Sequence, residues 1–466
     1  MRPEVVRRAL PWRDPEAVVA ALAASGDVVW TDAGVDAAAG RSLVLWGPAA
    51  TASAHDGDLG GLWALVRDDL DEPRPGTDPL GWAGWLGYEF GTWLLDRDGT
   101  VGPGRGSPPP LGATGAPDAS APPDLALLRA DRALAFDHGR GTVEAVALGH
   151  DDWPAEVAAT WDSIEPLDPP GPPEAPPGPD AVHRRHSDAE YLALVERCRA
   201  AIAAGDAYVL CLTTSVRVDA PVDAFAAYRR LRRASPAPHA SFVRIGGTAV
   251  VGASPESFLE VGADGRVSSS PIKGTRPRAA EPAVDARLAR ELGESEKERA
   301  ENVMIVDLVR NDLARVAEVG SVVVTELLEV HGYRQVHQLV STVEARLAPG
   351  LRAVDAVEAA FPAGSMTGAP KRAAVGLLAR WEGARRGVYS GAVGRLGLDG
   401  GASLAMAIRS VVVHNVGLDG VGSSATVGVG GGVTSSSVPR DELAEAGWKA
   451  AALLRVLGAS PGRASW

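Results

Sequence analysis

Lysine is the scarcest cation in this chain of 466 residues. Of the 46 basic residues only four are lysine, Lys273, Lys297, Lys371 and Lys449, which leaves 42 arginines. A guanidinium stays protonated and serves neither as nucleophile nor as base, so these four positions are the first place to look for an amine with a chemical role. Chance retention is the alternative at any one of them. Lys273 lies in SSSPIKGTRPR (268–278), where Pro271 and Pro277 restrict the backbone around Gly274 and predict a constrained loop. An ordinary solvated loop lysine is the plainer reading of the same residues.

Carboxylates recur beside the other lysines. The segment 295–316 predicts a helix with Met304, Ile305, Leu308 and Leu313 as its apolar stripe, and Glu294, Glu298 and Glu301 spaced to share one face. Three like charges there repel unless solvent and Lys297 or Arg299 relieve them, or unless a carboxylate faces a metal. In 437–454, Glu442, Glu445 and Lys449 fall on one helical face, with Glu445 to Lys449 in the favourable i, i+4 order of an ordinary surface pair. FPAGSMTGAPKRAA (361–374) predicts a tight turn into a helix whose first amides suit an anion, or a plain loop–helix junction. Carboxylate oxygens that leave room for water suit Mg²⁺, and a bound dication holds an acidic ligand. Together these segments read as an Mg²⁺-dependent site for a small carboxylated substrate.

The elements that must position these residues are mixed. Ser187 to Glu190 forms a capping box that opens an amphipathic helix to about Ala204. Apolar runs such as TAVVGAS, SVVVTELLEV, ASLAMAIRSVVV and SATVGVG predict strands between helices. Residues 125–149 predict strands joined at DHGRG, and GWAGWLGYEFGTWLLD (81–96) predicts a buried aromatic cluster. The Gly/Pro-rich segment 102–124 predicts a disordered loop. The Pro-rich stretch 165–185 predicts a linker between an N-terminal domain, 1–164, and a catalytic domain, 186–455, with a tail at 456–466.

Composition excludes several classes. With 59 acidic residues the net charge is -13, which argues against a nucleic-acid or anionic-membrane binder. Two cysteines give no disulfide framework, no signal-like apolar core opens the chain, and no run is long enough to span a bilayer. A cytoplasmic protein is expected. There is no GxGxxG after a strand and no phosphate-loop lysine motif, and GVGGGV (428–433) lacks that context.

The ordered motifs resemble the chorismate-utilising enzymes, a family that includes anthranilate, aminodeoxychorismate, isochorismate and salicylate synthases. The resemblance runs over about residues 186–455. It rests on SPES (254–257), PIKGTRPR (271–278), AENVMIVDLVRNDLARV (300–316), HQLVSTVEARL (337–347), GSMTGAPK (364–371), YSGAVG (389–394), AIRS (407–410), GVGGGV and the final E-x-x-x-K ending at Lys449. GWAGWLGYE (81–89) resembles the N-terminal part of the ammonia-using members. The resemblance implies an α+β fold of two packed antiparallel sheets flanked by helices, with the two halves of the chain intertwined. It implies Mg²⁺ held by Glu301 and Glu445, and substrate contacts from Gly274, Thr275, His337, Tyr389, Arg409, Gly432 and Lys449. Glu256 matches the general acid that assists departure of the 4-hydroxyl of chorismate.

The branch of the family turns on two positions. Lysine at 273, where anthranilate-forming members carry alanine, is the mark of the branch that makes aminodeoxychorismate, in which this amine adds to C2 before ammonia adds at C4. Water-adding members carry a lysine at the position aligned with Val209, and valine cannot activate water. Ser436 replaces a usual aspartate. No glutaminase motif is present, so the resemblance implies a separate glutamine amidotransferase subunit as the ammonia source. An anthranilate-forming enzyme, or a silent sensor of chorismate-like ligands, is the alternative.

Overall fold

The computed structural model describes residues 4–459 except 24–25, 36, 54–57, 98–120 and 174–176. Most of the expected loop at 102–124 and most of the tail beyond Val456 lie outside the described residues. Among the described residues every strand pairing is antiparallel, and the strands form two large sheets of twelve and ten members, with one small two-stranded pair. The expected α+β architecture is the observed one.

In each sheet a block of strands from before residues 165–185 joins, at one seam, a block of strands from after them. In the larger sheet, Val28–Asp32 pairs with His239–Ile245, which continues through Thr248–Ser254, Ser410–His414 and Ser424–Val433 to Val209–Val218. In the smaller sheet, Gly81–Leu86 pairs with Ala392–Gly397, and Ile272–Pro277 lies at the end beside Val336–Arg346. Central strands such as TAVVGAS are buried on both faces, whereas VVTELLEVHG (323–332) alternates as an outer strand does. Leu45, Val243 and Val250 of the larger sheet meet Trp85, Leu127, Leu259 and Leu404 of the smaller in one core. A second core lies between the larger sheet and helices, among them Asp188–Ala203, whose capping box at Ser187 and Glu190 forms as predicted, and Pro439–Val456.

Two expectations change. ASLAMAIRSVVV is two strands: Ala402–Met406 belongs to the smaller sheet and Ser410–His414 to the larger. The chain crosses between sheets at 407–409, with Arg409 in the left-handed region at φ 51°. Glu294 ends one helix, Pro282–Glu294, and Ser295 caps the next, Glu296–Ala314, so Glu294 does not stack on Glu298 and Glu301. The buried apolar face of that second helix is Ile305, Val306, Val309 and Leu313, so Ile305 and Leu313 are where the sequence put them while Met304 and Leu308 are only partly covered.

Candidate active site

Two corners where the chain changes sheets build one wall of a cavity. Thr248–Ser254 leads through Pro255 and Glu256 into Ser257–Val261, and Ala402–Met406 leads through Arg409 into Ser410–His414. The corners hydrogen-bond to each other: Met406 N donates to Glu256 O at 3.0 Å and Ala253 N to Arg409 O at 3.1 Å. Strands that switch sheets need such bends, and here the bends aim Glu256 and Arg409 into the same space. Its volume is about 450 Å³, within the range of small-molecule sites.

Lys273 reaches the cavity from a strand, not from the constrained loop expected. Ile272–Pro277 pairs with Val336–Arg346, but the register slips between Lys273 and Thr275. Gly274 sits at that slip with φ 79°, and a Cβ there would press on Leu292 at 2.8 Å and Glu298 at 3.0 Å. A glycine bulge re-aims neighbouring side chains. Lys273 is half-buried, and its ammonium, alone among those of the four lysines, makes no hydrogen bond or ion pair with the described residues. Lys371 is a structural residue, buried with its ammonium 2.8 Å from Asp312 and 2.7 Å from the Ala360 carbonyl. Lys449 is fastened to Glu445 at 2.6 Å and to the Gly430 carbonyl at 2.7 Å.

Of the residues named from the sequence, Lys273, Glu256, Gly274, Thr275, Tyr389, Arg409, Gly432, Lys449, Glu301 and Glu445 all line this cavity. His337 does not. Its ring nitrogen is 3.0 Å from Asp285, and the next residue, Gln338, faces the cavity instead, because neighbours along a strand point to opposite faces. Sequence reading also missed contributors. Ser365, from the turn Gly364–Met366, lines the cavity with Glu256 and favours its charged form. Glu442 accepts from Ser437 at 2.7 Å and lies beside Glu445 on the helix Pro439–Val456. Its shared face with Glu445 and Lys449 was the available signal. The run GVGGGV supplies space: a Cβ at Gly428 would lie 2.1 Å from a ring carbon of Tyr389, and one at Gly431 would lie 3.2 Å from Glu442.

The carboxylates differ in their electrostatics. Burial pushes Glu256 above the ordinary range, opposed by Lys273 and by Ser365. Burial pushes Glu301 up to about 7, against the pull of Lys273 and Lys297. Burial acts on Glu445 in the same direction, but the charge and hydrogen bond of Lys449 outweigh it and hold Glu445 below the usual value. Glu301 is 9% exposed and its Oε1 has no hydrogen-bond partner. Such an orphaned buried oxygen fits a ligand to a hard cation, with Glu445 as a second oxygen donor across the cavity. Among the described residues, no three His, Cys, Asp or Glu side chains form an all-protein metal cage. The residues fit Mg²⁺ only as a partial donor set, completed by water and substrate oxygens.

Residues 27–455 match the family model described as chorismate binding enzyme. The chain belongs to that family. It is 46% identical over 419 residues to an aminodeoxychorismate synthase of Streptomyces griseus, covering 88% of this chain and 54% of that protein. It is 39% identical over 403 residues to anthranilate synthase component 1 of Streptomyces coelicolor, covering 82% of this chain and 74% of that protein. The chain thus spans about half the length of the Streptomyces griseus relative. Among solved structures, anthranilate synthase component I from Streptococcus pneumoniae aligns with TM-score 0.74 and 26% identity over 89% of this chain and 92% of that one. The menaquinone-specific isochorismate synthase of Escherichia coli, at 19% identity and TM-score 0.73 over 98% of this chain and 95% of that one, shares the fold. In this family member no helix among the described residues is long and apolar enough to cross a membrane.

Proposed function

We propose that this chorismate binding enzyme converts chorismate and ammonia to 4-amino-4-deoxychorismate through a covalent adduct on Lys273. The observation that carries the reading is the state of the four lysines. Three are tied by ion pairs, and the remaining one, Lys273, faces the cavity without such a partner among the described residues. A nucleophile must be free to form a bond, and an amine locked in a salt bridge is not.

The Lys273 amine, as its free base, forms a bond to C2 of chorismate. The ring double bonds shift and the C4–O bond breaks. Glu256 suits the acid role, because burial favours its protonated form; its proton leaves with the 4-hydroxyl as water. Ammonia then bonds to C4, the double bonds shift back, and the C2–N bond breaks to return the lysine. Arg409 and Tyr389 line the side from which they can orient the substrate. Glu301 and Glu445 would hold Mg²⁺, which when bound would neutralise and position a substrate carboxylate. Valine at 209, buried at 5%, offers no base for water.

The source of ammonia in this reading is a glutamine amidotransferase subunit, and the setting is cytoplasmic. The test is product identification with chorismate, Mg²⁺ and ammonium at high pH, with and without a glutaminase. Aminodeoxychorismate is the expected product in ammonium alone. Anthranilate would transfer the chain to the other ammonia-using branch, and no turnover would favour a ligand sensor.

A further inference from the structure

Five carboxylates, Glu256, Glu298, Glu301, Glu442 and Glu445, line the cavity together with five cationic side chains, Lys273, Arg276, Lys297, Arg409 and Lys449. The wall is therefore formally balanced before any ion or substrate enters. The balance is local as well. Glu298 has Arg276 at 3.6 Å and Glu445 has Lys449 at 2.6 Å. Lys297 stands 3.4 Å from Glu442 Oε1 and 3.9 Å from the orphaned Glu301 Oε1, which also feels the charge of Lys273.

Lys297 is held differently from Lys449. Lys449 has two short contacts and a mostly covered side chain. Lys297 has two long ones, and its side chain is 42% exposed at the rim. It rises from the first turn of Glu296–Ala314, one helical turn before Glu301, on a four-carbon stem with rotamers open toward solvent. It touches the carboxylate pair tightly enough to offset their repulsion and loosely enough to leave.

We propose that Lys297 is a resident counter-ion of the carboxylate pair, which a divalent cation displaces on binding. The proposal rests on the reading of Glu301 as a metal ligand. Lys297 then holds Glu301 and Glu442 together in the metal-free protein and competes with the metal for the same oxygens. One consequence is that the cavity does not gather divalent cations strongly on its own. A dication entering with a doubly charged carboxylate substrate leaves the formal balance unchanged, whereas a dication alone does not.

The experiment is Mn²⁺ binding to the full chain without substrate at pH 8, read by electron paramagnetic resonance and checked with Mg²⁺ by calorimetry. Lys297→Met should tighten binding about tenfold, since it removes a positive charge lying 3.4 and 3.9 Å from carboxylate oxygens that would draw in the ion. Lys297→Arg should bind no tighter than the parent. Melting without metal supplies the second readout: Lys297→Met should melt lower than the parent, and saturating Mn²⁺ should close the gap. Unchanged or weaker Mn²⁺ binding by Lys297→Met overturns the counter-ion role. Glu301→Gln separates the two levels. If it leaves Mn²⁺ binding intact, the metal reading itself fails. If it abolishes binding while Lys297→Met has no effect, only the counter-ion inference falls.

Discussion

Glu16, in the helix Pro15–Leu22, and Asp32, at the end of the strand Val28–Asp32, are carboxylates more buried than those of the cavity, at 1% and 2% exposure. Arg229, Arg232 and Arg233 bind Glu16 through both of its oxygens, at 2.6 to 3.1 Å. Asp32 accepts from Arg232, from the Tyr228 hydroxyl at 2.9 Å, from Ser42 at 3.0 Å and from Gly34 N at 3.1 Å. In the cavity Glu442 and Glu301 have the Lys297 ammonium at 3.4 and 3.9 Å, and Glu301 Oε1 is left without a hydrogen bond. Guanidinium forks saturate planar carboxylates, whereas an ammonium point charge leaves lone pairs unused. The contrast separates a cluster built to lock the fold from one built with capacity to spare for a ligand.

Substitutions can break this comparison on either side. The largest effect expected is on Lys273→Ala, which should reduce aminodeoxychorismate formation by at least about 10⁴-fold, as removal of a nucleophile does. Its melting temperature should stay near the parent's, because no ion pair is lost. In the locked cluster the sign reverses: Asp32→Asn should cost about 1.5–3 kcal/mol in urea denaturation by weakening charge-assisted hydrogen bonds and leaving buried Arg232 with Glu16 as its remaining ion-pair partner. Turnover per folded molecule should be unaltered.

Glu301→Gln sharpens the contrast through pH. The Glu301 carboxyl titrates near 7 in the folded, metal-free protein against an ordinary value of 4.5. A raised value means the folded state binds the proton more tightly, so the contribution is present below about pH 4.5 and is lost as pH rises through 7. Glu301→Gln should therefore be more stable than the parent by about 1–3 kcal/mol at pH 8 in chelator. The gain should vanish near pH 5. The smallest effect expected is on the exposed pair Arg287–Glu291, at 2.6 Å. Arg287→Ala should cost only about 0.3–0.5 kcal/mol, and high salt should erase the difference.

Much of the site was legible because its residues are rare or fall in ordered motifs. A single lysine between two prolines, a glutamate in SPES and a terminal E-x-x-x-K led to one cavity wall. What the sequence concealed depends on long-range pairing. Glu256 and Arg409 meet because two separate strand runs change sheets at the same place, and hydrophobic period carries no mark of such a corner. His337 and Gln338 differ only in strand parity, which the pairing with Ile272–Pro277 and its bulge decides. Glu442 was visible on its helix face, but its role beside Lys297 needed the distance between two helices. The helix break at Ser295 was missed because capping serine and helix-forming glutamates lie in one uninterrupted polar run.

The central claim is that the Lys273 amine bonds to the substrate. The most direct measurement is mass spectrometry of the intact protein, quenched in acid after mixing with chorismate and Mg²⁺ in the absence of ammonia, followed by peptide mapping. The account predicts an added mass of one chorismate less one water on the peptide carrying Lys273, absent from Lys273→Ala and discharged by ammonium. Turnover to aminodeoxychorismate at the parent rate by Lys273→Ala, or an adduct mapped to another residue, would contradict it.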